Sequence, residues 1–419
     1  MRFGSRAVIL AVAGTMACYV GTALSAATAI ETPARASAAF ASRANEQIGQ
    51  NPALPVCGRD AFALGGGQAG TPQGTRMVED VFTNVQVLKG ISVDEFMGTM
   101  GIMSAALSFC CSECHTNAGT DLVKWDVDTP RKRTARRMVQ MVAAINRDNF
   151  GGRQVVTCWS CHRGRDRPVV TPSIDTIYGV ANVEPDDLVA RVQGAPSAEG
   201  IFDRYIQAVG GAERLAKFTS LSAKGTSVGY GGSGAGSQVE ILAKSPDQRV
   251  TRIRFPDPTL RDSVRTFDGR AGWIATPLTA VAEYALVAGE LDGARLDAQL
   301  SFPGQIKQVL DNWRVGLPAS IDDRVMDTVQ GSGPRGLFAT LYFDRETGLL
   351  QRVVRYAESA IGRVPTQTDF ADYREVQGIK VPFRWTFSWL DGQDRFEMKE
   401  VQLNVPIDAA RFGRPAPGR

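Results

Sequence analysis

The sequence predicts a multidomain protein. A mostly α-helical domain at residues 76–170 is followed by a curved antiparallel β-sheet, or half-barrel, with covering helices at residues 198–419. Three observations carry this expectation. Two Cys-x-x-Cys-His stretches, Cys111-Ser-Glu-Cys114-His115 and Cys158-Trp-Ser-Cys161-His162, stand in a segment of helical periodicity. From Ser220 onward the apolar period becomes two, in many short runs separated by turn residues. Between these regimes lies a stretch with Pro172, Pro185 and Pro196 that reads as a linker, residues 171–197.

In chain order, residues 1–29 read as a secretory signal peptide. Arg2 and Arg6 form the basic start, Ala7 to Ala17 the apolar run, and Ala27-Thr28-Ala29 the favoured cleavage region. The run is too short to count on as a membrane span. Two alternatives are a lipid-bearing mature N-terminus at Cys18 and an uncleaved anchor, either of which would bring membrane contact. Residues 30–75 read as a flexible leader rich in Ala, Gly, Pro and Gln. Cys57 and Cys110 either pair with each other in an oxidising compartment or remain separate thiols.

Ser92-Val-Asp-Glu95 matches a capping box and predicts a helix to about Phe109, with Phe96, Met100, Met103 and Leu107 as its buried stripe. Asp128-Thr129-Pro130 predicts a second helix start, with Met138, Met141, Val142 and Ile145 on one face and Gly151-Gly152 at the end. Glu199 to Phe218 reads as one amphipathic helix. The strands expected beyond it are 220–230, 237–244, 248–255, 262–268, 271–276, 319–328, 336–343, 348–357, 367–375, 380–390 and 394–404. A helical stretch from Ala280 to Trp313 interrupts them.

The two motifs signal covalent attachment of two c-type haems through Cys111 and Cys114, and through Cys158 and Cys161. Two thiols three residues apart lie on one side of a helical turn, and the adjacent imidazole, His115 or His162, reaches the iron. Both histidines of the chain fall in these motifs, so bis-His ligation within the chain is excluded. A zinc site of paired Cys-x-x-Cys spacing is the competing reading, though zinc has no need of a His after each second Cys. The sixth position is left to a methionine, a lysine, a terminal amine or vacancy. Six of the ten methionines (Met77, Met97, Met100, Met103, Met138, Met141) lie in this segment, and at least one is expected to be a ligand. The basic run Arg131, Lys132, Arg133, Arg136, Arg137 starts a helix, where positive charge is disfavoured. Haem propionates held by Arg133, Arg136 and Arg137, an acidic redox partner, or a solvated face would each account for it.

Asn84-Val-Gln-Val-Leu-Lys-Gly90, Glu95-Phe-Met-Gly-Thr-Met100, Ala135-Arg-Arg-Met138 and Val156-Thr-Cys-Trp-Ser-Cys-His-Arg-Gly164 resemble the cytochrome c subunit of photosynthetic reaction centres. The resemblance implies a helix bearing the axial methionine before each motif. Carried over by position, Met100 would serve the haem of His115 and Met138 that of His162. Members of that family carry four such motifs and this chain two, so an exported dihaem carrier is the safer expectation than a photosynthetic role. Tyr205-Ile-Gln-Ala-Val-Gly-Gly211, Asp369-Phe-Ala-Asp-Tyr-Arg-Glu-Val-Gln-Gly378, Pro382 and Pro406-Ile-Asp408 resemble outer-membrane lipoprotein carrier-like domains, which implies an apolar cavity for an acyl chain or a quinone.

The expected function is therefore single-electron transfer in the periplasm, with redox donor and acceptor proteins as partners, an apolar small molecule as a candidate ligand of the β domain, and no enzyme activity. The alternatives are a dihaem peroxidase-like enzyme, which would need an open iron site, and a lipid- or quinone-binding module with a redox-sensing haem domain. With 47 Lys and Arg against 44 Asp and Glu, nucleic acid has no electrostatic claim on the chain.

Overall fold

A computed structural model describes residues 75–172, 174, 194–229, 236–333 and 337–415. The signal peptide, nearly all of the leader, Cys18, Cys57 and most of the linker lie outside the described residues.

Four helices fill residues 93–162. Helix α1 (Val93–Leu107) starts at Ser92, whose Oγ accepts the Glu95 amide at 3.1 Å, and stops where Ser108 turns left-handed at φ 53°. Helix α2 (Cys111–Cys114) is the first motif itself. Helix α3 (Pro130–Phe150) begins at the Thr129 cap with Pro130 in its first turn and ends at left-handed Gly151. Helix α4 (Cys158–His162) is the second motif. Both long helices thus start where capping chemistry places them.

The rest is a 14-stranded antiparallel sheet in the order β6-β5-β4-β3-β2-β1-β14-β13-β12-β11-β10-β9-β7, with β8 pairing β9 off that path. Its strands are β1 (Ser220–Gly229), β2 (Ser237–Lys244), β3 (Gln248–Arg254), β4 (Ser263–Phe267), β5 (Gly272–Ala275), β6 (Glu283–Ala285) and β7 (Asp311–Val315) in the first half. In the second half they are β8 (Ala319–Ile321), β9 (Arg324–Ser332), β10 (Phe338–Asp344), β11 (Leu350–Ser359), β12 (Gly362–Val376), β13 (Ile379–Trp389) and β14 (Gly392–Leu403). The chain returns to close β14 against β1, as in the pair Leu221 with Leu403. Helix α7 (Ala288–Gln299) touches β3 and β4 on one arm of the sheet and β11 on the other. Those strands are far apart in the sheet order, so the sheet curls around this helix.

Four expectations are corrected. The single helix expected from Glu199 breaks at Gly210-Gly211, whose φ of 140° and 84° no helix carries, into α5 (Ala198–Val209) and α6 (Ala212–Ala216). The run 319–328 is two strands, β8 and β9, because Asp322 and Asp323 both adopt positive φ and form a tight hairpin turn. The helical stretch from Ala280 contains the short strands β6 and β7 at its ends. The fully buried face of α1 is the one bearing Val93, Gly101, Ile102 and Ala106, whereas Phe96, Met100, Met103 and Leu107 are half-buried and face a cavity.

Two glycines explain that last result. A Cβ at Gly98 would meet Val364 of β12 at 3.2 Å, and one at Gly101 would meet Leu390 at 3.5 Å. Small residues on this face let α1 lie directly on the sheet. On α3, Met141 is 44% exposed while Val139, Val142 and Asn146 are buried, so the packed face is turned from the expected one.

Candidate functional site

The first motif is held by backbone geometry at both ends. The His115 amide donates to the Cys111 carbonyl at 2.8 Å, and the hydroxyl of Thr129, the cap of α3, donates to the Cys114 carbonyl at 2.8 Å. The loop that follows folds back through the Lys124 amide to the Thr116 carbonyl at 3.0 Å. This brings Trp125 edge-on to the His115 ring, with centroids 5.0 Å apart.

Cys111, Cys114, His115 and Trp125 line one cavity together with Met97, Met100 and Met103 of α1. Burial, reinforced by the Lys132 ammonium, pulls the His115 imidazole down to about 4, so it is neutral at physiological pH. Its Nδ1 is buried without a hydrogen-bond partner among the described residues. Burial also pushes up the thiols of Cys111, Cys114 and Cys158. A neutral imidazole, paired thiols and thioethers around an apolar space are a donor set that fits a covalently attached haem. When bound, that group supplies one-electron redox chemistry at iron.

The second motif is locked to the same helix pair. The Gly164 amide donates to the Ala106 carbonyl at 3.0 Å, and the Ser108 hydroxyl to the Gly164 carbonyl at 2.7 Å, so α1 ends against the motif's exit. Buried Asn146 of α3 takes the Val155 and Val156 amides on its Oδ1, at 3.1 and 2.9 Å, and donates through Nδ2 to the Val156 carbonyl at 2.8 Å. His162 Nδ1 lies 2.9 Å from the Arg165 carbonyl. A carbonyl only accepts, so Nδ1–H donates and fixes the orientation of the ring, as the second nitrogen of a metal-ligating imidazole does.

The structure brings Met100 to the cavity of the first motif. Met138 is half-buried on α3. The four motif cysteines are free thiols. Cys110 is disulfide-bonded, and Cys57 lies outside the described residues.

The basic run of α3 is partnered largely by its own neighbourhood. Arg131 pairs with Glu113, and Arg136 pairs with Asp128 at 2.6 Å and reaches the Asn84 carbonyl at 3.2 Å. Lys132 donates to the carbonyls of Trp125 and Val127 at 2.7 and 2.9 Å. Lys132 and Arg136 line the cavity; Arg133 and Arg137 are exposed, the first on the Asp128 carbonyl and the second on the Thr134 hydroxyl.

Sequence reasoning missed two residues that hold this region together. Asn146 sits on the buried face of a helix, where a polar side chain needs partners, and that was a readable signal. Asp94 was readable only as part of a cap. Its Oδ2 accepts the Val287 amide at 2.9 Å, across 193 positions of sequence. Burial, with the charge of Glu290 nearby, raises its carboxyl to about 7. Glu290 is itself pushed up by burial, but Arg355 and Arg265 outweigh this and hold it low. The Arg355 guanidinium is 1% exposed and meets both Glu290 oxygens, at 3.1 and 3.2 Å.

Among the described residues no helix is long and apolar enough to cross a membrane. Residues 26–185 match the family model of the photosynthetic reaction centre cytochrome C subunit. Photosynthetic reaction center cytochrome c subunits of Roseobacter denitrificans and Thermochromatium tepidum are 32% and 38% identical to this chain over 124 and 95 residues. These alignments cover 26% and 21% of this chain. The chain spans 33% and 22% of the length of those relatives. Among solved structures, a LolA superfamily protein from Nitrosomonas europaea is similar with a TM-score of 0.35 and 13% identity, over 52% of this chain and 99% of that one. An outer membrane lipoprotein-sorting protein domain from Vibrio parahaemolyticus aligns with a TM-score of 0.32 and 9% identity, over 50% of this chain and 97% of that one.

Proposed function

We propose that this chain, whose residues 26–185 match the photosynthetic reaction centre cytochrome C subunit family, is an exported c-type cytochrome that carries single electrons through two covalently attached haems. The observation that carries the reading is the duplicated Cys-x-x-Cys-His motif, which takes up both histidines of the chain. The neutral, buried imidazole of His115 and the oriented imidazole of His162 support it. Residues 76–170 form the haem domain and the sheet from residue 198 a second module that takes an apolar ligand.

In this reading Cys111 and Cys114 would tether one haem and Cys158 and Cys161 the other, and His115 and His162 would each hold one iron through the imidazole. Met100 would add a thioether ligand for the first haem and Met138 for the second. The cavity position of Met100, beside the first motif, supports its assignment. A thioether opposite imidazole favours ferrous iron and raises the potential. Trp125 and the α1 side chains exclude water from the first site, and Asn146 fixes the approach to the second.

Haem staining with mass spectrometry, followed by a redox titration monitored optically, tests the reading. Two covalent haems per chain and two low-spin centres are expected. One haem or none sinks the dihaem reading, and a high-spin centre that binds peroxide favours a peroxidase.

A further inference from the structure

The cavity that holds the first motif does not end there. It is a single space of about 930 Å³, and ten consecutive strands, β6 through β11 in sheet order, turn side chains into it. At about 4.8 Å between neighbouring strands this is about 43 Å measured along the sheet. A porphyrin held by Cys111 and Cys114 would take up only the end of this space that those thiols line. The remaining wall is apolar and aromatic, with Ile253, Phe370, Phe387 and the stacked pair Trp385 and Phe396, 5.6 Å apart.

The polar groups of this wall gather around α7, where the sheet meets α1. Asp94 uses Oδ2 on the Val287 amide, which leaves its second oxygen for a ligand. Arg249 donates to the Ser301 hydroxyl at 2.6 Å and forms no ion pair among the described residues, so further N–H groups remain available. Glu290 joins Arg265 at 3.4 Å and Arg355 at 3.1 Å, and Asp297 stands 3.9 Å from both arginines. With Asp391, which also lines the cavity and acts on Tyr284 beside Asp94, Arg265 and Glu290, four carboxyl groups stand near these three guanidinium groups. An anionic head, such as a fatty-acid carboxylate, would find Arg265 and Arg355 already matched by Glu290 and Asp297 and would face the Asp94 carboxyl beside the remaining donor, Arg249. A neutral head with separate donor and acceptor positions meets both kinds of partner.

We propose that this cavity binds a quinone-class carrier, its neutral ring beside Asp94 and Arg249 and its apolar tail along the inner face of the sheet. Such a ring has two opposed oxygens, which accept from a guanidinium when oxidised and donate to a carboxylate when reduced. The tail needs a long dry wall, and strands β1 to β3 and β12 to β14 provide one. The proposal rests on the electron-carrier reading for why a redox-active ligand belongs in the cavity of the first motif, and binding is measured independently of that reading.

The test is calorimetric titration of the haem-loaded full chain with decylubiquinone and, in parallel, with palmitate. One decylubiquinone per chain is expected, with palmitate at least about ten-fold weaker. Phe387→Asp should lose at least about ten-fold in decylubiquinone affinity, since a carboxylate then lines the tail wall, with far-UV circular dichroism and the haem spectrum unchanged. Asp94→Ala should weaken binding of reduced decylubiquinol about ten-fold. If Phe387→Asp does not fold, solvent extraction of the wild-type protein and mass spectrometry for a prenylated quinone takes its place. Palmitate binding as tightly as decylubiquinone, no decylubiquinone bound, an unaffected Asp94→Ala, or extracted acyl lipid without quinone overturns the proposal. The haem redox titration can succeed in every one of those cases, so the two failures are distinguishable.

Discussion

Substitution of Asp94 by Asn isolates the energetic cost of joining the helical segment to the sheet. Burial and the Glu290 charge raise the Asp94 carboxyl from its ordinary 3.8 to about 7. Below 3.8 the group is protonated in both folded and unfolded chains and has no effect. Between 3.8 and about 7 the folded chain binds the extra proton, so stability falls as pH rises. Above 7 the cost is fully present. Each pH unit of that window is worth about 1.4 kcal/mol, which gives about 4 kcal/mol at most, less whatever the neighbouring arginines recover by relaxing. Asparagine keeps an oxygen for the Val287 amide and removes the charge. Asp94→Asn is therefore expected to be about as stable as wild type near pH 4 and about 2–4 kcal/mol more stable near pH 8. Urea unfolding followed by far-UV circular dichroism at the two pH values measures the difference. An equal effect at both, or destabilisation at pH 8, would refute the reasoning, because it would mean that the charge is accommodated at no cost.

Other substitutions probe neighbouring contacts. Met100→Leu should lower the potential of one haem and leave the other, which a redox titration resolves; two unchanged potentials would remove Met100 from the ligand set. Gly101→Ala should be tolerated, since its Cβ meets Leu390 at an ordinary 3.5 Å, whereas Gly101→Leu should cost about 1–3 kcal/mol by overpacking α1 against the sheet. Gly293→Ala places a Cβ against the Arg355 guanidinium and should cost about 3–5 kcal/mol by parting Arg355 from Glu290. A denaturation midpoint near wild type would show that the arginine moves freely. Cys158→Ser with Cys161→Ser should halve the covalent haem per chain, read by mass.

The sequence by itself determined the local chemistry. Ser92, Thr129-Pro130 and Gly151 set the ends of α1 and α3 because capping is decided within a turn of the chain. The duplicated motifs bring thiols and imidazole together by spacing alone. Most strands were legible because one face of the sheet lines the interior and imposes a period of two. The short strands β6 and β7 were not, since three to five residues hold too little pattern. Only the tertiary structure decided which face of α1 is buried. Its Met100 stripe looks like a core stripe, but Gly98 and Gly101 allow the closer approach and turn that stripe toward the cavity. Asp94 meets Val287, and Arg355 meets Glu290, across 193 and 65 positions. Such pairs leave no periodic trace, because each exists only once the sheet has curled around α7. The same curl makes one cavity of the motif pocket and the inner face of the sheet, and no local pattern in either segment specifies that they face each other.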